Sequence, residues 1–199
     1  MPTDQTLIST FLKKHSIFDA AEVDRITKLA NAVSTIPWGE GRTIEEVLST
    51  KGVGTCTGKH LVLQKCFDAL GIVWRPVVCT FRWSEQGLHL PEHLEKILQE
   101  GEWEHGHNFV QVQNQNTKQW IDVDVTWDPP LAAFGFLVLP QSWNGETSSL
   151  GMRTLLQRWD NASIADKKKE LIASLSEEQQ ERRERFLHAF IEWISTLRK

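Results

Sequence analysis

The sequence has little of what would take it outside the ordinary run of folded proteins. No apolar stretch in its 199 residues approaches membrane-spanning length. The opening residues, Met1-Pro2-Thr3-Asp4-Gln5, are polar and lack the basic stretch and apolar run of a secretory signal. Cysteine is scarce and odd in number, at three, which argues against a disulfide framework and for free thiols in a reducing compartment. A cytoplasmic protein is expected. There is no excess of basic residues, and a net charge of −4 gives no electrostatic reason to expect nucleic acid or a membrane surface as partner. With no internal repeat, low-complexity segment or Gly/Ser linker, residues 1–199 are expected to form one domain. The chain is long enough to bury a substantial core.

Local patterns supply the elements. Residues 2–35 read as two packing helices, with Leu7, Phe11 and Leu12 on one and Val23, Ile26, Leu29, Ala30 and Val33 on the other. Thr43 and Glu46 have capping-box spacing before a short helix to about Ser49. Gly52-Val53-Gly54-Thr55-Cys56 leads into a helix with Leu63, Cys66, Phe67 and Leu70 at helical spacing, stopped by Gly71. Val73 to Phe81 reads as a strand, at an edge or bulged because of Pro76. A short helix opens at Pro91 and runs to about Gln99. His107 to Gln113 and Lys118 to Thr126 read as a hairpin about Asn114-Gln115-Asn116-Thr117. Beyond Pro129-Pro130, a helix is expected around Met152 to Trp159, and Ser176 with Gln179 caps a long final helix bearing Phe186, Leu187, Phe190, Ile194 and Leu197.

Of the three thiols, only Cys56 falls at a helix N-terminus, where the macrodipole and unpaired amides favour thiolate. Gly54 and Gly58 leave its surroundings free of bulk, so that a carbonyl carbon could approach the sulfur. Cys66 and Cys79 read as core. A thiolate nucleophile needs an imidazole to manage the proton and an acceptor to orient that imidazole. If Asn114 pairs with Thr117, the register sets His107 directly across from Asp124, with Cβ atoms about 4.5–5.5 Å apart. Asp122 shares that face and is the reserve, opposite Phe109. The bland alternative is an amphipathic hairpin whose polar side chains are merely solvated.

Gly54-Thr55-Cys56 opening a helix, Gly106-His107-Asn108-Phe109, and Trp120-Ile121-Asp122-Val123-Asp124-Val125-Thr126-Trp127-Asp128 together resemble the transglutaminase-like superfamily. The resemblance spans about residues 36–130. It implies an α+β fold in which a nucleophile helix packs on an antiparallel sheet, here with helical extensions at both ends, the C-terminal one about 151–199. It also implies a catalytic Cys56, His107 and Asp124, acyl transfer through a thioester, and a peptide or protein amide substrate with water or an amine as acceptor. Trp127 and Trp38 are the expected substrate contacts. Val125 stands where proline is common, and Asn108 where alanine is usual. The arylamine N-acetyltransferase family is similar in the order of Cys, His and Asp, though longer. An idle peptide- or glycan-binding module, with Trp74, Trp83 and Trp103 exposed, is the alternative from another class.

No cofactor or metal is expected. His89-Leu90-Pro91-Glu92-His93 has the letters of an inverted zinc-protease motif, but Pro91 would start a helix and leave His89 outside it. A zinc set of Cys56, His60, His105 and His107 would consume the thiol and imidazole of the triad and has no Cys-x-x-Cys to support it.

Overall fold

The computed structural model describes residues 2–114 and 117–197; Gln115 and Asn116, at the centre of the expected turn, lie outside the described residues. The fold is α+β. Helices α1 (Asp4–Lys14), α2 (Glu22–Ser34) and α3 (Cys56–Leu70) precede strand β1 (Trp74–Phe81), and α4 (Glu92–Gln99) separates it from β2 (His105–Gln113). β3 (Trp120–Val123), β4 (Gln157–Asp160), α5 (Ile164–Ala173) and α6 (Glu177–Thr196) complete it. The four strands form one antiparallel sheet in the order β3-β2-β1-β4.

Two main cores among the described residues follow from the apolar stripes, beside a small cluster of Val77, Cys79 and Phe109. Ile8, Phe11 and Leu12 of α1 and Leu29, Ala30 and Val33 of α2 pack with Val62, Leu63, Cys66 and Phe67 of α3. These meet Val110, Val112, Ile121 and Val123 on the sheet. The second core gathers Phe186, Phe190 and Ile194 of α6 with Trp38, Trp83, Trp103, Trp127 and Phe136. Burying each of those phenylalanines contributes about 1.5–3 kcal/mol, which ties α6 to the loops around the sheet. Trp83 and Trp103, which the binding-module alternative would place at the surface, are instead 3% and 1% exposed. No helix among the described residues is long and apolar enough to cross a membrane.

Helix starts and stops largely obey their local signals. Thr55 caps α3 through its hydroxyl, Gly71 ends it at φ 67°, and Ser176 with Gln179 makes a complete capping box on α6. Thr43 and Glu46 also bond reciprocally, but the turn they open is wider than an α-helix. The amides of Lys51 and Gly52 both reach back to the Glu46 carbonyl. Pro91 caps α4 and leaves His89 outside it, bonded through its amide to the Phe134 carbonyl.

Three expectations are corrected. Strand β1 lies inside the sheet, yet it tolerates Pro76. The Pro76 carbonyl accepts from Asn161 on the β4 side, so its ring nitrogen faces that side too, beyond the last paired residue Val77. Met152 to Trp159 is not a helix: its apolar residues imitate helical spacing, but the segment ends in β4, with Trp159 opposite Val78. The hairpin register differs by two residues. Gln113 pairs with Trp120 and the Asn114 amide with the Gln119 carbonyl, so the connection is four residues long rather than two. An even displacement keeps side chains on their face, because strand side chains alternate with period two. Asp124 is thereby diagonal to His107 rather than directly opposite, just past the end of β3.

Candidate active site

Cys56 is the first residue of α3. Thr55 fixes that helix start: its hydroxyl accepts from the Gly58 amide at 3.2 Å and donates to the Gly41 carbonyl at 3.1 Å, and its amide reaches the same carbonyl at 2.8 Å. The surrounding glycines make this loop packing feasible. A Cβ on Gly58 would stand 2.2 Å from the Gly41 oxygen, and one on Gly54 would meet Lys59 Cγ at 2.8 Å. They are therefore filled against the neighbouring loop and helix and do not serve as an approach path to the sulfur. The fully buried Lys59 anchors the helix from beneath, donating to the carbonyls of Ser34 and Thr126 at 3.0 and 2.9 Å.

His107 lies in β2 opposite Cys79 of β1. Its Nε2 is 2.7 Å from Asp124 Oδ2, both side chains being buried. Asp124 is fixed beyond β3 by backbone on every side. Its amide donates to the Ser149 carbonyl, Oδ1 accepts from the Thr126 amide, and Oδ2 also accepts from the Gly151 amide, each at 3.0 Å. With Nε2 committed to Asp124, Nδ1 is the ring nitrogen left for Cys56, and the thiol and the imidazole act strongly on each other's ionisation. The three residues singled out for chemistry are thus brought together. Asp122, the reserve, keeps to the same face but lies opposite Gln111, farther along the strand, and is engaged there: Arg158 grips its two oxygens at 2.8 and 2.9 Å and Gln111 donates at 2.7 Å.

The electrostatics of this cluster are strongly coupled. Burial alone would push the Cys56 thiol up, but the Lys168 ammonium and the His107 imidazole more than offset it and bring it down to about 5. Burial acts to lower the His107 imidazole; the Asp124 carboxylate and the Cys56 sulfur overcome this and raise it to about 9. For Asp124, burial opposes ionisation, and the His107 charge and hydrogen bonds outweigh it, holding the carboxyl well below the usual carboxylate range. At neutral pH the resting pair is therefore thiolate and imidazolium. Burial leaves Cys66 raised to about 12 and lifts Cys79 as well, so neither competes as a nucleophile.

One contributor, a lysine, was not visible in the sequence, whereas His60, one turn after Cys56, was read there as a supporting or surface histidine. Lys168, on α5, lies with Nζ 3.4 Å from Cys56 Sγ, 2.9 Å from Thr57 Oγ1 and 2.6 Å from Asn108 Oδ1. It is the middle of a Lys-Lys-Lys run on a helix that had not been expected, and such a run reads as a solvated surface. His60 Nδ1 is 2.7 Å from the Cys56 carbonyl, and its Nε2 accepts the Val125 amide at 3.2 Å. Both ring nitrogens are thus engaged by the backbone. His105 is packed against Phe81 and Trp83, and among the described residues no group of three or more His, Cys, Asp or Glu is placed to hold a metal ion. The zinc set weighed from the sequence is not assembled. Trp38 and Trp127, expected at the substrate, are 7% and 4% exposed and pack on each other with ring centroids 5.6 Å apart. They belong to the second core.

Among known proteins, no family model and no curated protein matches the sequence. Chains of solved structures do match. One, described as the crystal structure of a TGase, superposes with a TM-score of 0.44 at 15% identity over 62% of this chain and 31% of that one. This chain spans about a third of that chain's length.

Proposed function

We propose that this protein is a cysteine-dependent acyl-transfer enzyme of the transglutaminase-like kind, acting on peptide or protein amides through a thioester on Cys56. One observation carries the reading: a thiol at a helix N-terminus is paired with an imidazole whose Nε2 stands 2.7 Å from a buried carboxylate. Perturbed groups meeting in this order are what nucleophilic catalysis at neutral pH requires.

The chemistry runs through two half-reactions. The Cys56 thiolate attacks the amide carbonyl carbon, and the electron pair of the C=O bond moves to oxygen. As that oxyanion collapses, the C–N bond breaks and the His107 imidazolium gives its proton to the leaving amine. The resulting thioester is attacked by water or by an amine, whose proton passes to the now neutral His107. The C–S bond then breaks, restoring thiolate and imidazolium and releasing an acid or a new amide. Asp124 holds the ring with Nδ1 toward sulfur and stabilises its charge throughout. The Cys56 backbone N–H, at the helix N-terminus, is one donor to the oxyanion.

The test is acyl-enzyme trapping. Incubation with a panel of glutaminyl and other peptide amides, with and without an added primary amine, should leave a mass adduct that maps to Cys56 and is absent in Cys56→Ala. If no member of the panel acylates Cys56 or releases ammonia or an amine, the proposal fails.

A further inference from the structure

The thioester chemistry proposed above needs a second group to receive the oxyanion, and none was apparent from the sequence. Lys168 Nζ sits 3.4 Å from Cys56 Sγ and is held by two further acceptors, Thr57 Oγ1 and Asn108 Oδ1. Those two are themselves linked, the Thr57 hydroxyl donating to Asn108 Oδ1 at 3.1 Å. An ammonium has three donors and no acceptor, so the side-chain oxygen of Asn108 must face it. The Asn108 amide nitrogen is left buried without a partner among the described residues. A fully buried asparagine that leaves its own N–H unsatisfied in order to present oxygen is spent on fixing the cation.

We infer that Lys168 Nζ is the side-chain donor of the oxyanion hole, so that α5 completes the site. This rests on the acyl-transfer reading. In the resting enzyme one N–H of the ammonium faces the thiolate. When sulfur forms its bond to the carbonyl carbon, the negative charge leaves sulfur for the carbonyl oxygen, which lies roughly 3 Å from both groups in a productive geometry. The bonds to Thr57 and Asn108 do not change in that step, so the ammonium stays in place while the charge it faces shifts from sulfur to oxygen. No reorganisation is needed at the moment of reaction, which is the condition under which such donors are most effective. The seat of α5 is itself defined. Leu171 lies over Gly106, where a Cβ would come within 3.3 Å of its Cδ1, and Lys167 Nζ lies 4.6 Å from the centre of the Trp159 ring.

The experiment separates two reactions of the same sulfur. Alkylation by iodoacetamide passes through no oxyanion, whereas acylation by p-nitrophenyl acetate does. Both rates are measured for the parent, Lys168→Met, Lys168→Arg and Thr57→Val. Each is taken at a pH where that variant's alkylation has reached its plateau, so that every thiol compared is fully ionised. Circular dichroism and thermal melting check the fold. Lys168→Met should slow acylation by about 100–1,000-fold, the range of a lost oxyanion donor, while plateau alkylation does not fall and rises several-fold as the sulfur, relieved of the cation, regains nucleophilicity; Thr57→Val should show a smaller selective loss. Equal changes in the two reactions, or none in either, would overturn the assignment and leave Lys168 as a partner of the thiolate alone. An acetyl group recovered on Lys168 would overturn it too, by making the amine an acceptor. A parent whose Cys56 is alkylated rapidly yet never acylated would sink the acyl-transfer reading itself, and the donor with it.

Discussion

His60 comes within 3.6 Å of Asp124 and gives it no proton. Its Nδ1 lies 2.7 Å from the Cys56 carbonyl, which can only accept, so that nitrogen carries the hydrogen. Its Nε2 receives the Val125 amide and is therefore a lone pair. Burial lowers this imidazole to about 4, with His107 and Lys59 adding to the effect and Asp124 only partly countering it. The neighbouring carboxylate is thereby kept for His107. Imidazole NMR should show the two rings titrating far apart, His60 near 4 and His107 near 9. A His60 signal that protonates near 6.5 would show that its tautomer is not locked.

Alkylation of Cys56 should rise through a limb near pH 5 and remain fast to a second limb near 9, where the imidazolium is lost. The two limbs belong to the thiol–imidazole pair as a unit. At pH 6 the sulfur is almost fully ionised, but a thiolate of low pKa is a weaker nucleophile, so the net gain over a free thiol is roughly tenfold. His107→Ala should move the first limb upward and abolish most of that gain. Peptide mass spectrometry reads Cys66 and Cys79 in the same digest, and both should stay inert until denatured.

The same groups set how stability depends on pH. Cys56 is lowered from 9.0 to about 5 and His107 raised from 6.5 to about 9. Between about pH 6.5 and 9 the folded chain holds a proton on His107 that the unfolded chain has lost. It lacks one on Cys56 that the unfolded chain keeps, and the two effects cancel. Below 6.5 only the terms in which the unfolded chain binds more protons remain, from Cys56 and His60, so these groups reduce stability as the pH falls toward 4. Urea midpoints should accordingly be flat on the alkaline side and decline on the acid side. In Cys56→Ser the cancellation is gone and the midpoint should fall as pH rises above 6.5; a flat profile there would contradict the pairing.

Gly151 touches the carboxylate that matters most. A Cβ at that position would lie 2.8 Å from Asp124 Oδ2, the oxygen bonded to His107. Gly151→Ala should destabilise the fold by about 1–3 kcal/mol, as overpacking commonly does, and cut acylation disproportionately by displacing the carboxylate. Asp124→Asn should cost about two to four orders of magnitude in acylation, since an amide neither stabilises the imidazolium nor enforces its tautomer. Asp122→Asn should instead lower stability by loosening Arg158 and leave the rate within a few-fold. Rate and thermal melting measured together distinguish the three.

What the sequence conveyed about the site was face and order rather than distance. The alternation of β2 and β3 put His107 and Asp124 on one side of the sheet, and that held through a two-residue error in register because the error was even. The error itself arose in the connection, where the asparagines suggested a two-residue turn and the chain makes a four-residue one. The stop at Gly71 and the capping box at Ser176 were legible because a helix end is settled by a few neighbouring residues. Strand β4 was not, because four residues added to an existing sheet carry too little pattern to outweigh a chance helical spacing. Lys168 was hidden for another reason: its partners Cys56, Thr57 and Asn108 are distant in the chain, and only tertiary packing gives one lysine of three its role.

The placement of Lys168 on α5 has a temporal consequence. During synthesis from the N-terminus, Cys56, His107 and Asp124 all emerge well before α5 and α6. Until residue 168 arrives, the nascent thiol lacks the ammonium that stands 3.4 Å from its sulfur and is closer to an ordinary, protonated cysteine. On the proposed chemistry the thiol is thus armed by the last third of the chain, and a ribosome-bound or C-terminally clipped product would carry the cysteine, histidine and aspartate with much less of the reactivity.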